Sequence, residues 1–360
     1  MINSAVLRFL NSRRELFVIG LTSSTLAIDR LSNSSDDSLL QWNHEVGFFG
    51  ISSCKCESSS EQKSFPILTR SELNLKVPLW RRLLAPVGVF PVPRVLTPND
   101  PALKIPKRFL RQREIDDEKM RKISTEFPKL QGSPEEKLEK LRQEIFEVAY
   151  GKGVTPQMRE DFVIRYGCTG YTEAILNRLI ELCATRGLIE VGAGHGQWQR
   201  ALTDAFVEAH GKPGNGKKFD FVLAYDDNSD LPLNTHIYNQ YTKPHHDYFG
   251  SVQKLNSIAD LAKVLRSWAC RGRALLMVYP PPGSMAIDTL KMYSSASPEN
   301  DTLIYVGEGR GGANGDDAFF DFLESGEWVL LEVLEVLRPP GDKSKGCEKL
   351  YILQKIIEDI

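Results

Sequence analysis

The sequence predicts an α/β protein whose mostly parallel sheet closes with an antiparallel hairpin, preceded by a helical and proline-rich extension. Three observations predict it. From residue 188 onward, short apolar runs alternate with helical patterns. The first run, Leu188-Ile189-Glu190-Val191, ends in Gly192-Ala193-Gly194-His195-Gly196 and passes directly into a helical pattern. The last two runs, 328–337 and 349–354, are joined through Arg338-Pro339-Pro340-Gly341-Asp342. That link is too short for a crossover helix, so the pair must be antiparallel.

The chain divides into three stretches. Residues 1–65 are serine-rich, and Arg8, Arg13 and Arg14 outnumber Glu15, the lone acidic residue before Asp29. A serine-rich, early-basic, acid-poor start is expected of an organellar transit peptide, with plastid or mitochondrion as destination and the cytoplasm as the alternative. Residues 66–150 hold a proline-rich segment and then helices. Pro78, Pro86, Pro91, Pro93, Pro98, Pro101 and Pro106 forbid regular helix and predict an extended segment laid over a surface. The basic run Lys104, Lys107, Arg108, Arg111 and Arg113, turning acidic at Glu114, reads as the solvated face of a helix. Residues 151–360 carry the sheet.

Helix signals precede the glycine turn. Ser133-Pro134-Glu135-Glu136 is a capping box with proline at the first helical position, and Gly151 stops that helix. Thr155-Pro156 opens a second, ended by Gly167, and Thr172 opens a third that runs to Gly187. Strands are predicted at 188–191, 219–225, 251–255, 273–279 and 302–307. Helices are predicted at 197–210, 257–270, 283–293 and 315–325.

Composition excludes several classes. The 360 residues are 41% hydrophobic and 26% charged with a net charge of -2, so no global field draws the chain to nucleic acid or an anionic membrane. No apolar run approaches a membrane span. The six cysteines contain no Cys-x-x-Cys pair, which argues against a zinc site or a disulfide framework. His236, His245, His246 and Asp247 lack a recognised metal-ligand spacing, so no metal is expected.

The glycine turn points to a nucleotide-like cofactor, because glycines let backbone amides approach a ligand beside a helix N-terminus. Position 197 is Gln197, where a dinucleotide fingerprint wants its last glycine. That departure disfavours a nicotinamide oxidoreductase and favours S-adenosylmethionine. Glu190 closes the first strand, and Asp226 ends the second at Val222-Leu223-Ala224-Tyr225-Asp226, where a carboxylate can accept ribose hydroxyls. Asn256 follows the third strand. The fourth ends in Tyr279-Pro280-Pro281-Pro282, and the loop after the fifth carries Glu308 and Arg310 among glycines.

With its turn, strand ends and terminal hairpin, the chain resembles the class I S-adenosylmethionine-dependent methyltransferases, over roughly residues 155 to 356. More narrowly, it is similar to a little-characterised methyltransferase-like family. The shared features are Gly196-Gln197-Trp198, Tyr279-Pro280-Pro281, Val306-Gly307-Glu308-Gly309 and Gly315-Asp316-Asp317-Ala318-Phe319-Phe320. The resemblance implies a Rossmann-like methyltransferase fold. It also implies S-adenosyl-L-methionine held by Glu190, Gly192, Gly194, Gly196, Asp226 and Asn256. Tyr279 and Glu308 would position the acceptor, with Pro280, Pro281 and Arg310 contacting it. Amino-methyltransferases carry Asn or Asp before the Pro-Pro pair and an aromatic after it; here Tyr279 and Pro282 stand there. The acceptor class stays open among protein, metabolite and nucleic acid. A cofactor-binding scaffold without turnover is the alternative reading.

Overall fold

A computed structural model of the protein describes residues 93–126, 131–211, 219–227, 250–341 and 346–356. The serine-rich start and the histidine-bearing loop 228–249 lie outside the described residues. The α/β class is as expected: one mixed sheet of eight strands with helices on both faces. The strands are β1 (Arg94–Val95), β2 (Leu188–Val191), β3 (Val222–Asp226), β4 (Val252–Lys254), β5 (Ala274–Val278), β6 (Thr302–Gly307), β7 (Trp328–Glu335) and β8 (Lys349–Lys355). Their order across the sheet is β1-β7-β8-β6-β5-β2-β3-β4. Neighbours from β6 through β4 run parallel, whereas β8 is antiparallel to both β6 and β7.

The helices are α1 (Lys107–Glu126), α2 (Pro134–Tyr150), α3 (Pro156–Tyr166), α4 (Glu173–Cys183), α5 (Gln197–His210), α6 (Ile258–Leu265), α7 (Met285–Ala296) and α8 (Asp317–Leu323). The central strands read as continuous apolar runs because both of their faces are covered. Alternate residues go to opposite sides. Ile189, Val191, Leu275, Met277, Leu303 and Tyr305 pack with Leu261 and Leu265 of α6, Leu290 and Tyr293 of α7, and Phe319 and Phe320 of α8. Leu188, Ala274, Leu276, Ile304 and Val306 pack with Ile175 and Leu179 of α4 and with Trp198, Leu202 and Phe206 of α5. Among the described residues, no helix is long and apolar enough to cross a membrane.

Local chemistry accounts for the helix ends. Ser133 and Glu136 complete the capping box of α2, while Thr155, Thr172 and Asp316 each accept a bond from the first turn of the helix they open. Among the boundaries that differ from the sequence reading, two have a visible cause. The strand predicted from 219 begins at Val222, since Phe219 and Phe221 turn instead onto Phe206, with ring centroids 5.9 and 4.2 Å away. The helix predicted to 270 stops at Leu265, where Ser267 donates back to Val264 and Cys270 to Ser267. That reversal buries Cys270 and leaves Trp268 82% exposed.

The proline-rich stretch, where described, is laid on the sheet. β1 pairs antiparallel with β7 at the sheet edge, and Leu96 and Leu103 are buried beneath it. Asn99 and Asp100 donate their amides to the two oxygens of Glu324 at 2.7 and 3.0 Å, and Arg94 pairs with Asp100. The Leu103 carbonyl then accepts the Arg310 amide at 2.6 Å, tying the segment to the loop after β6. Nearly two turns into α1, Arg113 reaches Glu308 at 2.5 Å. The basic run is therefore not wholly a solvated face: Arg113 serves a carboxylate that is only 2% exposed. Glu308 also accepts the Ala313 amide at 2.7 Å. Replacing Arg113 by Ala leaves that carboxylate buried with only the Ala313 amide and the Cys347 thiol as donors, and the expected loss of stability is about 3–5 kcal/mol. Urea unfolding measures it. Glu308→Gln in the same background should restore part of the loss, since no charge is then stranded.

Candidate functional site at the glycine turn

The turn leaves the carboxyl end of β2 beside β3. Gly192, Gly194 and Gly196 all have left-handed backbones, with φ of 78°, 55° and 81°, a region that other L residues rarely enter. The amides of Gly192 and Ala193 both donate to the Tyr225 carbonyl, at 2.9 and 3.1 Å. The Gly194 amide donates to Asp226 Oδ2 at 2.8 Å. The structure thus brings the strand-end carboxylate and the glycine turn together.

The glycines differ in what surrounds them. A side chain at Gly194 would meet nothing within 4 Å, so its amide borders open space. One at Gly196 would fall 2.8 Å from Val252 Cγ2 and 2.9 Å from Gly250 Cα. Gly196 is required by a close approach of two chain segments, a reason the sequence did not disclose. Gln197 is buried and donates to the Val163 carbonyl at 3.1 Å, locking α5 against α3. Trp198 likewise donates to the Thr169 carbonyl at 3.0 Å.

Glu190 is 1% exposed. One side of its carboxylate takes the Gln199 amide in the first turn of α5, and Oε2 has no hydrogen-bond partner. Burial, followed by the charge of Asp226, pushes its pKa up to about 8 against the Gln199 hydrogen bond. Such a carboxyl carries a proton at neutral pH.

Asn256 is exposed, two residues beyond β4, and its neighbour Leu255 donates to the Asp226 carbonyl at 2.7 Å. That bond keeps Asn256 beside the β3 exit.

On the other side of β2, β5 exits through Tyr279. Its φ is 51°, a strained value for a side-chain-bearing residue, held by a 2.7 Å bond from its amide to the Val306 carbonyl. Burial, then the charges of Glu348 and Glu308, raise its hydroxyl well above the ordinary tyrosine range. The Pro280 carbonyl accepts Asn314 Nδ2 at 3.0 Å, so the proline exit is braced from the loop after β6, and Pro281 is half-buried beside it. This glycine-rich loop is pinned at several points. Glu308 is matched by Arg113 and Ala313, and Asn314 accepts the Glu308 amide at 2.9 Å. Arg310 pairs with Asp321 and Glu324 at 2.8 and 2.9 Å. Both loop charges are thus answered within the fold.

Sequence reasoning placed Arg113 on a solvated face and passed over Arg159 and Glu348. Arg159 (7% exposed) and Glu348 (7% exposed) are buried at this edge, and Tyr279 feels the charges of both. No local pattern marks a charged residue whose partners arrive from distant segments. Among the described residues, no group of three His, Cys, Asp or Glu side chains is arranged to hold a metal. No protein-family model matches the chain, and no curated protein matches it.

The Glu190 environment sets a pH dependence. The folded state holds this proton more tightly than the unfolded chain, whose carboxyl titrates near 4.5. The resulting stability is full below that value and is lost as pH rises through about 8. Glu190→Gln keeps the neutral shape and should flatten the decline in thermal midpoint between pH 5 and 9. The difference at the alkaline end is expected to be on the order of a few kcal/mol in favour of the variant.

Proposed function

We propose that the chain is an S-adenosylmethionine-dependent methyltransferase with its cofactor at the turn after β2. The observation that carries this reading is a pair of carboxylates at one turn. Glu190 is buried with an unpartnered oxygen, and Asp226 sits on the Gly194 amide. The cofactor's chemistry suits both: an ammonium answers Glu190, and a ribose diol suits Asp226. Open space at Gly194 lets a ligand approach the backbone. The sheet adds support, since parallel strands finished by an antiparallel β8 are what the resemblance implies. Gln197 opposes the dinucleotide reading, because its side chain fills the α3–α5 contact where a close-packed glycine would be required.

When bound, S-adenosylmethionine supplies a sulfonium-activated methyl group, for which alignment of the acceptor is the main demand. The chain's part is then positional. Glu190 gives up its proton to become the counter-ion of a cationic ligand, and Asp226 orients the sugar. With Glu308 and Arg310 matched within the fold, Tyr279 is the acceptor-side residue, placed by the strained exit of β5 next to β2.

Calorimetry with S-adenosylmethionine in buffers of different ionisation heat tests the reading. Saturable binding near neutral pH should release close to one proton, and Glu190→Gln should abolish that release. Asp226→Ala should weaken binding by at least about tenfold, or ~1.4 kcal/mol. Labelled methyl transfer into a cell extract, lost in Tyr279→Phe with cofactor affinity unchanged, would place turnover on this chain. Tight binding of NAD with indifference to S-adenosylmethionine would overturn the assignment. Binding without any labelled product would leave a scaffold.

A further inference from the structure

One strand over from the glycine turn lies a second set of buried polar groups, which neither the turn nor the N-terminal segment uses. Arg159 on α3 is 7% exposed. Its guanidinium packs over the rings of Tyr150 and Phe162, with centroids 5.1 and 5.8 Å away, and its Nη1 has no hydrogen-bond partner. Other buried arginines of this protein are well supplied. Arg186 donates to Asp301 and Thr302 and to the carbonyls of Gly272 and Glu299, and Arg273 donates to the carbonyls of Ala269, Asp220 and Phe221. Ring faces return only part of what a guanidinium loses on leaving water. Arg159 is therefore short of an acceptor.

Its surroundings say what kind of acceptor. Arg113 answers Glu308, and Arg338 Nε faces Glu348 Oε2 at 3.8 Å, which leaves the Arg159 charge unmatched by a carboxylate among the described residues. Glu348 Oε2 faces Arg338 without a hydrogen bond of its own. Thr169 is fully buried with an unpartnered hydroxyl, while its carbonyl ties the loop to Trp198 behind the glycine turn. Tyr279 lies within electrostatic reach of Arg159, Glu308 and Glu348 and stands at the exit of β5, the strand adjoining β2. A guanidinium, a phenol and a hydroxyl all donate to oxygen.

We propose that Arg159, Thr169 and Tyr279 form the acceptor side of the site and take the oxyanion of a small molecule, a carboxylate or a phosphate. Burial of Arg159 and Thr169 suits a small molecule and not a polymer. The role as acceptor subsite rests on the methyltransferase reading; the anion binding does not.

The test uses the full chain, with and without S-adenosylhomocysteine, and three probes: sodium benzoate, inorganic phosphate and uncharged benzamide. Either benzoate or phosphate should bind saturably by calorimetry and raise the thermal midpoint, and which one does so distinguishes the two sources; benzamide should do neither. Arg159→Met should weaken the anion at least tenfold, keep its thermal midpoint at or above that of the parent, and keep S-adenosylhomocysteine affinity within twofold. Thr169→Val, which removes only an unpartnered hydroxyl, should weaken the anion severalfold without unfolding the chain. The proposal is overturned if neither anion binds the parent, if benzamide binds as well as benzoate, or if both variants bind the anion as the parent does. Failure of the cofactor reading is visible separately, as anion binding that persists while S-adenosylhomocysteine does not bind.

Discussion

The site depends on one carbonyl. Tyr225, the penultimate residue of β3, accepts the amides of both Gly192 and Ala193, and so clamps the left-handed turn against the neighbouring strand. The ladder pairs Val191 with Tyr225, which leaves Asp226 one step beyond the end of β2, facing the Gly194 amide. Register here is unforgiving, because a slip of one residue would send Asp226 to the opposite face. The register is in turn fixed by burial on both faces, with Ile189 and Val191 committed to one core and Leu188 to the other. The chemistry of the turn is therefore set by packing several residues away.

That dependence explains what could be read from the sequence. The parallel strands were legible because two buried faces demand uninterrupted apolar runs. The glycine turn was legible because three left-handed positions demand glycine. Helix starts were legible from Ser133, Thr155 and Thr172, whose capping bonds span only three residues. Each of these signals is local. Where the chain needed information from a distance, the reading fell short. Arg113 looked like one charge among many on a polar helix, yet its partner Glu308 is 195 residues away. Gly196 looked like a ligand-facing glycine, yet Gly250 approaches it from the lead-in to β4. Asp316 did open its helix, but the loop before it proved to be pinned through Glu308, Arg310 and Asn314. No periodicity encodes those three partnerships.

The N-terminal segment changes how the carboxyl edge of the sheet is built. β1 extends the sheet beyond β7, the Leu103 carbonyl holds Arg310, and α1 delivers Arg113 across the same loop. The loop after β6 thereby exchanges mobility for position. Its Asn314 in turn braces the Pro280 carbonyl, so the strained exit at Tyr279 is supported from a segment that begins at Arg94. A left-handed tyrosine persists only when its surroundings over-determine it, and these contacts supply that determination.

The two edges of the sheet treat charge differently. At the amino edge, Arg186 and Arg273 fill their hydrogen-bonding capacity with carbonyls, Thr302 and Asp301, and this edge serves stability. At the carboxyl edge, Glu190 Oε2, Arg159 Nη1 and Glu348 Oε2 are buried without hydrogen-bond partners. Solvation lost in this way is costly, and a fold selected for stability alone would replace such groups with apolar ones. Open α/β sheets bind their ligands along this same edge. Trp328 Nε1 lacks a partner at the amino edge too, but the carboxyl edge is where charged side chains are left short, so the register that fixes Asp226 also holds the least satisfied charges in the fold.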